Sequence, residues 1–345
     1  MNIKEEENER ESKNFNILIL IAFIAGLLLI AATYAWFSSA LNTKVKIVNL
    51  VVSNDNGLSI SFDGINFGQT IEISKETLID NLKAVYPNNT NQWPVLGLKP
   101  VSTSGIQSPN DDKFNIFKTS GIMYRDRAKT MGYLSTEKVV EDDTGVRNYF
   151  VAFDIFLRNK TGSPVSDNLY LDQGTGIKIE SGHTEEMEGL VNSTRIGFLK
   201  IGSVPLDSSV AQRQNIGCNG RCEAIIYEPF NTNHTNLSID RLKRYNVNLF
   251  NGQYFPTYAM TNVVEKVDIK DIVNNPNNPN FKLQENRIDF NRPIFQIPDG
   301  ITKVRVYVWV EGQDVDSFET YSTGSDISIT INFIKDTAGF DAFNG

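Results

Sequence analysis

Apolar and polar positions along this chain follow two different periods. From Ile17 to Phe37 there is neither a charge nor a polar face, and the run is long enough, at about 1.5 Å of helix per residue, to cross a hydrocarbon core of about 30 Å. Tyr34, Trp36 and Phe37 gather at its far end, where amphipathic rings favour a lipid–water boundary. Beyond Leu41 the period becomes two. "KVKIVNLVV" (44–52) and "GLSISFDG" (57–64) flank a Ser-Asn-Asp-Asn-Gly turn and predict a hairpin. "NYFVAFDIFLRN" (148–159) sets Phe150, Ala152, Asp154 and Phe156 against Val151, Phe153, Ile155 and Leu157; with apolar residues on nearly both faces it reads as a central strand. "TKVRVYVWVEG" (302–312) alternates Val304, Val306, Val308 and Val310 with Arg305, Tyr307 and Trp309. "DISITINFIKD" (326–336) alternates Ile327, Ile329, Ile331 and Phe333 with Ser328, Thr330 and Asn332. One buried and one wetter face is the pattern of an all-β, antiparallel sheet or sandwich.

Helical signals are few. "SKETLIDNLKAVYP" (74–87) has a Ser74 cap, with Thr77 where a capping box favours Glu, and a Pro87 stop. "HTEEMEGLVNSTRIGFLKI" (183–201) reads as a short helix running into a strand at Arg195–Ile201. The stretch from about 205 to 298 is rich in Asn and Pro and reads as a long surface insertion carrying strands such as "EAIIYEPF" and "YNVNLF". The expected organisation is a cytoplasmic leader (1–14), a transmembrane or signal-anchor helix (15–37) and an extracytoplasmic β-sandwich domain (41–345) containing that insertion.

The junction after the apolar run is open to two readings. Thr33 and Ala35 occupy −3 and −1 of a peptidase cut before Trp36, and Ser38 and Ala40 serve a cut before Leu41. Against cleavage, the leader is acidic and the apolar run is longer than the usual signal-peptide core.

Charge and chemistry narrow the function. A formal net charge of −8 and a pI near 5.0 argue against nucleic acid, which needs a basic face to displace counterions. The two cysteines, Cys218 and Cys222, bracket an Asn-Gly turn signal; a small disulfide ring, two free thiols and a metal site are all open to them, the last needing further ligands. With only His183 and His234 there is little for a histidine-based nucleophile to draw on. No zinc-helix, nucleophile-elbow, phosphate-loop or dinucleotide motif occurs. "EDDTG" (141–145) and "NDNG" (54–57) suit turns, and neither has the twelve-residue Ca²⁺ loop pattern. Glu311, Asp314 and Asp316 form the most suggestive acidic cluster, and their simplest reading is a solvated turn after a strand. No cofactor, catalytic residue or metal ligand is assigned, and an enzyme is disfavoured.

Several of these stretches taken in order resemble the TasA/camelysin family of Gram-positive secreted and cell-surface proteins, some of which form biofilm-matrix fibres. They are the apolar run ending Thr-Tyr-Ala-Trp-Phe followed by "GLSISF"; "YFVAFDIFLRNKTGSPV"; "LVNSTRIGFLKI"; and "VRVYVWVEGQDVDS…ISITINF". The resemblance implies a jelly-roll-like antiparallel sandwich and processing by a signal peptidase at Ala35/Trp36. A freed segment could then add as a strand to a neighbouring subunit, with Trp36, Phe37 and Leu41 as anchors. The expected role is structural: membrane contact through residues 17–37 and self-association or contact with other surface proteins. The alternative is a membrane-anchored, adhesin-like or receptor-like module binding a ligand through 205–298.

Overall fold

The structure, a computed structural model, describes residues 43–53, 57–94, 97–109, 111–126, 129–141, 149–180, 185–229, 234–244, 257–265, 267–268, 279–284, 286–287, 290–317 and 325–336. In chain order the strands open with β1 (Lys44–Val52), β2 (Leu58–Ser61), β3 (Thr70–Ile73) and β4 (Val101–Ser102). Then come the long β5 (Ile116–Asp126) and β6 (Lys129–Val139), β7 (Phe150–Asn159), β8 (Asp167–Leu171) and β9 (Gly176–Ile179). Helix α1 (Glu185–Ser193) runs directly into β10 (Thr194–Val204), followed by α2 (Val210–Gln214), β11 (Glu223–Tyr227) and α3 (Asn236–Arg244). The chain continues through the short β12 (Tyr258–Met260), β13 (Val267–Asp268), β14 (Phe281–Leu283), β15 (Asn286–Arg287) and β16 (Phe295–Ile297). It closes with β17 (Gly300–Val310) and β18 (Asp326–Asp336).

The molecule is mostly β, with antiparallel sheets, as the alternation predicts. One six-stranded sheet runs β16-β8-β18-β1-β3, with β9 also on β18; the other runs β15-β11-β10-β17-β7-β2. Most neighbours are antiparallel, but β1 and β18 are parallel, as are β11 and β15. No tight loop joins β1 to β18, so no turn imposes the opposite direction. Inward rows of both sheets meet in a single apolar cluster that includes Val48, Leu50, Ile329 and Phe333 from one and Val151, Phe153, Val306 and Phe198 from the other. Phe198 meets Phe333 edge to face across it, with ring centroids 5.9 Å apart.

Three expectations need correction. First, β1 and β2 do not form a hairpin. They lie in different sheets, β1 beside β18 and β3, and β2 beside β7. Gly57 takes φ +72°, its carbonyl accepts the Lys160 N–H at 3.2 Å, and a Cβ there would stand 2.7 Å from Lys160 O. The turn residues therefore serve a crossover between layers rather than a return within one.

Second, the face of β17 carrying Arg305, Tyr307 and Trp309 is as buried as its valine face. A third layer, β13-β6-β5-β4, contributes Val101, Ile116 and Val139 to a second cluster with Phe114, Phe150, Leu199, Tyr307 and Trp309. Phe114 stacks on Tyr307 with centroids 4.6 Å apart. Gly197 sits beneath them, where a Cβ would come within 2.5 Å of the Phe114 ring and 2.9 Å of Trp309.

Third, residues 205–298 are not confined to the surface. β11 extends one main sheet by pairing with β10, and β16 extends the other by pairing with β8.

The short helical readings hold locally. A π-helical turn, Glu76–Asn81, leads into a 3-10 turn, Leu82–Ala84, ahead of Pro87. Ser74 and Thr77 cap its start reciprocally: Thr77 Oγ1 accepts the Ser74 N–H at 2.8 Å and Ser74 Oγ accepts the Thr77 N–H at 3.4 Å. Threonine thus takes the part glutamate plays in a capping box. Among the described residues no helix is long and apolar enough to cross a membrane, and Ile17–Phe37 lies outside them.

Candidate functional site

The acidic residues after β17 are not solvated. Glu311, Asp314 and Asp316 are all buried, and the chain beyond Val310 folds inward over α1 and the start of β10. Backbone bonds set this path: the Glu311 N–H donates to Ser193 O at 2.8 Å and the Gly312 N–H to Val101 O at 2.8 Å.

Arg195, the second residue of β10, stands at the centre with no exposed surface. Its Nε donates to Gln284 Oε1 at 3.1 Å and its Nη1 to Asn192 O at 2.6 Å. Nη2 donates to Glu228 Oε1 at 2.6 Å and to Asp314 Oδ2, with Thr257 Oγ1 at 3.4 Å. The planar guanidinium thus ties together a helix end, two carboxylates and residues from 228, 257 and 284, a fork that lysine's ammonium cannot reproduce.

Around it the carboxylates are filled by donors. Asp314 Oδ1 accepts the Asp316 N–H at 2.8 Å. Asp316 accepts from Asn192 Nδ2 at 3.1 Å, Thr235 N at 3.1 Å and Thr235 Oγ1 at 2.9 Å, and its Oδ2 lies 2.9 Å from His234 Nδ1. Glu311 Oε2 accepts from Gln284 Nε2 at 2.9 Å and Trp309 Nε1 at 3.1 Å. Burial pushes the Glu311 carboxyl up, and it stays above the usual range despite hydrogen bonds from Ser102 and Trp309. For Asp316 burial acts the same way but is overridden by hydrogen bonds led by His234, so this carboxyl sits below its usual range. Burial depresses His234, and the hydrogen bond to Asp316 with the charges of Asp316, Asp314 and Glu228 outweighs it, leaving the imidazole raised.

His234, Asp314 and Asp316 present ligand atoms within 4.8 Å of one another, the spacing of a cation site. The carboxylate oxygens nevertheless already accept hydrogen bonds: the Arg195 guanidinium occupies Asp314 Oδ2, the Asp316 N–H meets Asp314 Oδ1, and Thr235, Asn192 and His234 Nδ1 meet Asp316. The chemistry this supports is an ion-pair clamp that binds the 205–298 stretch to the sandwich.

A second clamp lies on the same face. Arg305 Nη1 donates to Asp154 Oδ1 at 2.8 Å and Nη2 to Glu141 Oε2 at 2.7 Å and Thr90 O at 2.8 Å. The Tyr307 hydroxyl donates to Glu141 Oε1 at 2.8 Å, and the Tyr86 hydroxyl to Asp154 Oδ2 at 2.7 Å. Burial raises Asp154, but the charges of Lys303 and Arg305 win and hold it down at about 2. Glu141, at the start of the expected 141–145 turn, is held beneath Arg305; residues 142–148 lie outside the described residues.

Thr33, Ala35, Trp36, Phe37, Ser38, Ala40 and Leu41, the processing and anchor residues, lie outside the described residues, as do His183 and residues 54–56. Cys218 and Cys222 form a disulfide with Cα atoms 5.5 Å apart. Gln107 pins this ring by accepting the Cys222 N–H at 2.9 Å and donating to Cys222 O at 3.1 Å. Asn219, Gly220 and Arg221 project from it into solvent. Arg195, Glu228 and Gln284 gave no sequence signal, because their common site exists only after distant segments pack. Comparison with protein-family models, characterised proteins and solved structures finds no match to this chain.

Proposed function

We propose that this chain is a non-enzymatic cell-surface or secreted structural protein of the TasA-like type, a jelly-roll-like body delivered across a membrane by the apolar segment 17–37. The observation that carries this reading is the way the chain enters the body. Thr43 is fully buried, its carbonyl accepts the Leu98 N–H at 2.7 Å, and β1 follows at once in the interior of a main sheet. Only residues 38–42 separate the apolar run from this fixed point. A segment freed by a cut at Ala35/Trp36 would therefore project from a rigid body with little slack.

That arrangement suits strand addition. β3 ends its sheet with no strand beyond it among the described residues, and it alternates exposed Thr70 and Glu72 with buried Ile71 and Ile73. A neighbour's residues 36–42 could supply the missing main-chain partners, with Trp36, Phe37 and Leu41 as anchors. Head-to-tail contact of this kind does not close, so it propagates as a filament. The disulfide supports an oxidising compartment.

The test is electron microscopy of the native product beside a variant lacking residues 36–42, which leaves Thr43 in place. Fibres in the first and none in the second are expected, with a mature N-terminus at Trp36. Unchanged fibres in the deletion, or a retained Met1, would overturn the strand-donation reading. A second reading, an anchored ligand-binding module, is favoured by the clamp on Arg195, which mounts the 205–298 stretch firmly. It requires a saturable ligand and no self-assembly.

A further inference from the structure

Three strands of the sandwich end their inward-facing apolar rows with a polar residue, and the three residues meet. In β7 the row Val151, Phe153, Ile155, Leu157 continues to Asn159; in β18 the row Ile327, Ile329, Ile331, Phe333 continues to Lys335; in β8 the row that holds Leu169 and Leu171 begins at Asp167. Exposure is 0% for Asn159, 1% for Asp167 and 4% for Lys335, so water is excluded from all three.

Lys335 Nζ lies 2.7 Å from Asn159 Oδ1 and 2.8 Å from Asp167 Oδ2. Asn159 Nδ2 donates to the same Asp167 oxygen at 3.1 Å and to the carbonyls of Ile297 and Pro298 at 3.3 Å each. Those two carbonyls orient the amide, turning its nitrogen toward them and its oxygen toward the lysine. One carboxylate oxygen thus touches both a potential nucleophile and a potential leaving group.

We propose that Lys335 and Asn159 join in an intramolecular amide cross-link, with Asp167 shuttling the protons. Asp167 takes a proton from the Lys335 ammonium across the 2.8 Å contact, which frees the Nζ lone pair. Nζ attacks Asn159 Cγ, a C–N bond forms, and the carbonyl π pair moves onto Oδ1. Asp167 gives its proton to Nδ2 and takes one from Nζ. The carbonyl reforms, the Cγ–Nδ2 bond breaks, and ammonia leaves. Lysine ammonium, carboxylate and primary amide become secondary amide, carboxylic acid and ammonia, with no oxidant, reductant or water required.

Two general effects favour the step. Holding nucleophile and carbonyl in contact removes the entropic barrier of a bimolecular aminolysis. Excluding water suppresses the competing hydrolysis. The product would link β7 in one sheet to β18 in the other, staple the two layers, and prevent the last strand from peeling away. This inference does not depend on strand donation, since it concerns the interior of a single body.

Peptide mapping of the full-length chain as the cell leaves it, reduced and digested with trypsin, tests it. The expected product is a branched peptide lighter by one ammonia, in which Asn159–Lys160 hangs from a Lys335 that trypsin has left uncut. Asp167→Asn, which keeps the shape of the site, should yield only the two separate peptides, as should Lys335→Arg. Separate peptides and ordinary cleavage after Lys335 in the wild-type chain would overturn the proposal. An equal yield of branched peptide in Asp167→Asn would overturn the role given to Asp167. Because the decisive observation is made on the wild-type chain, misfolding of a variant cannot hide the answer.

Discussion

Arg195 and Lys335 are both buried cations facing carboxylates, yet their surroundings commit them to different ends. Arg195 meets Glu228, Asp314, Gln284 and the Asn192 carbonyl through a guanidinium that keeps its proton at any relevant pH. It has no lone pair to offer and can only hold its partners in place. Lys335 meets a carboxylate, Asp167, and the oxygen of a side-chain amide, Asn159, the carbonyl that the proposed cross-link would have its nitrogen attack. Burial of a polar cluster thus does not define its role. What decides it is whether the cation can become a nucleophile and whether an electrophile lies beside it.

The strongest way to sharpen this contrast is to compare unfolding curves. A bond between residues separated by 176 positions closes a long loop, for which chain-entropy reasoning gives about 5 kcal/mol of stabilisation. Asp167→Asn should lose roughly that amount in urea titration and should also show a larger m-value, because its unfolded state is no longer held compact. Arg195→Ala comes next, with a loss of about 3–5 kcal/mol from leaving buried carboxylates without their cation. Its m-value should match the wild type, and a change there would place Arg195 and Lys335 in the same class after all.

A smaller effect is expected at the other arginine clamp. Tyr307→Phe leaves the Phe114 N–H without its acceptor at 3.3 Å and takes from Glu141 one of its donors, the rest coming from Arg305 and Thr90, at about 1–3 kcal/mol by chemical denaturation. Smallest is the pH response of the His234–Asp316 pair. His234 is raised, so its contribution is complete below the unfolded value of 6.5 and is lost as pH rises through the folded value. Asp316 is lowered, so its contribution is complete above 3.8 and is lost as pH falls through the folded value. Urea midpoints taken from pH 5 to 9 should decline on the alkaline side in the wild type and flatten in His234→Asn.

The strand rows were legible because alternation is a local property. Val304 to Val310 and Ile327 to Phe333 face the core as their spacing predicts. What covers the opposite face of β17 was not legible: the layer that buries Trp309 and Tyr307 comes from residues about 101–141, far away in sequence. The turn at 53–57 misled for a different reason, since Asn, Asp and Gly serve a crossover as well as a hairpin. Glu311, Asp314 and Asp316 were singled out but read as wet, because Arg195, Gln284 and His234 reach them only through tertiary packing. Asn159 and Lys335 did carry a visible signal, a polar residue continuing an apolar row, though nothing local shows that the two rows end at the same point.

We propose that the folded β body lies beyond a membrane crossed by residues 17–37. Alkylating thiols in intact cells at harvest, then mapping Cys218 and Cys222 in the envelope, medium and cytosolic fractions, tests it most directly. The prediction is an unalkylated, disulfide-linked pair recovered from the envelope or medium. A full-length chain found in the cytosolic extract with both cysteines alkylated would contradict it.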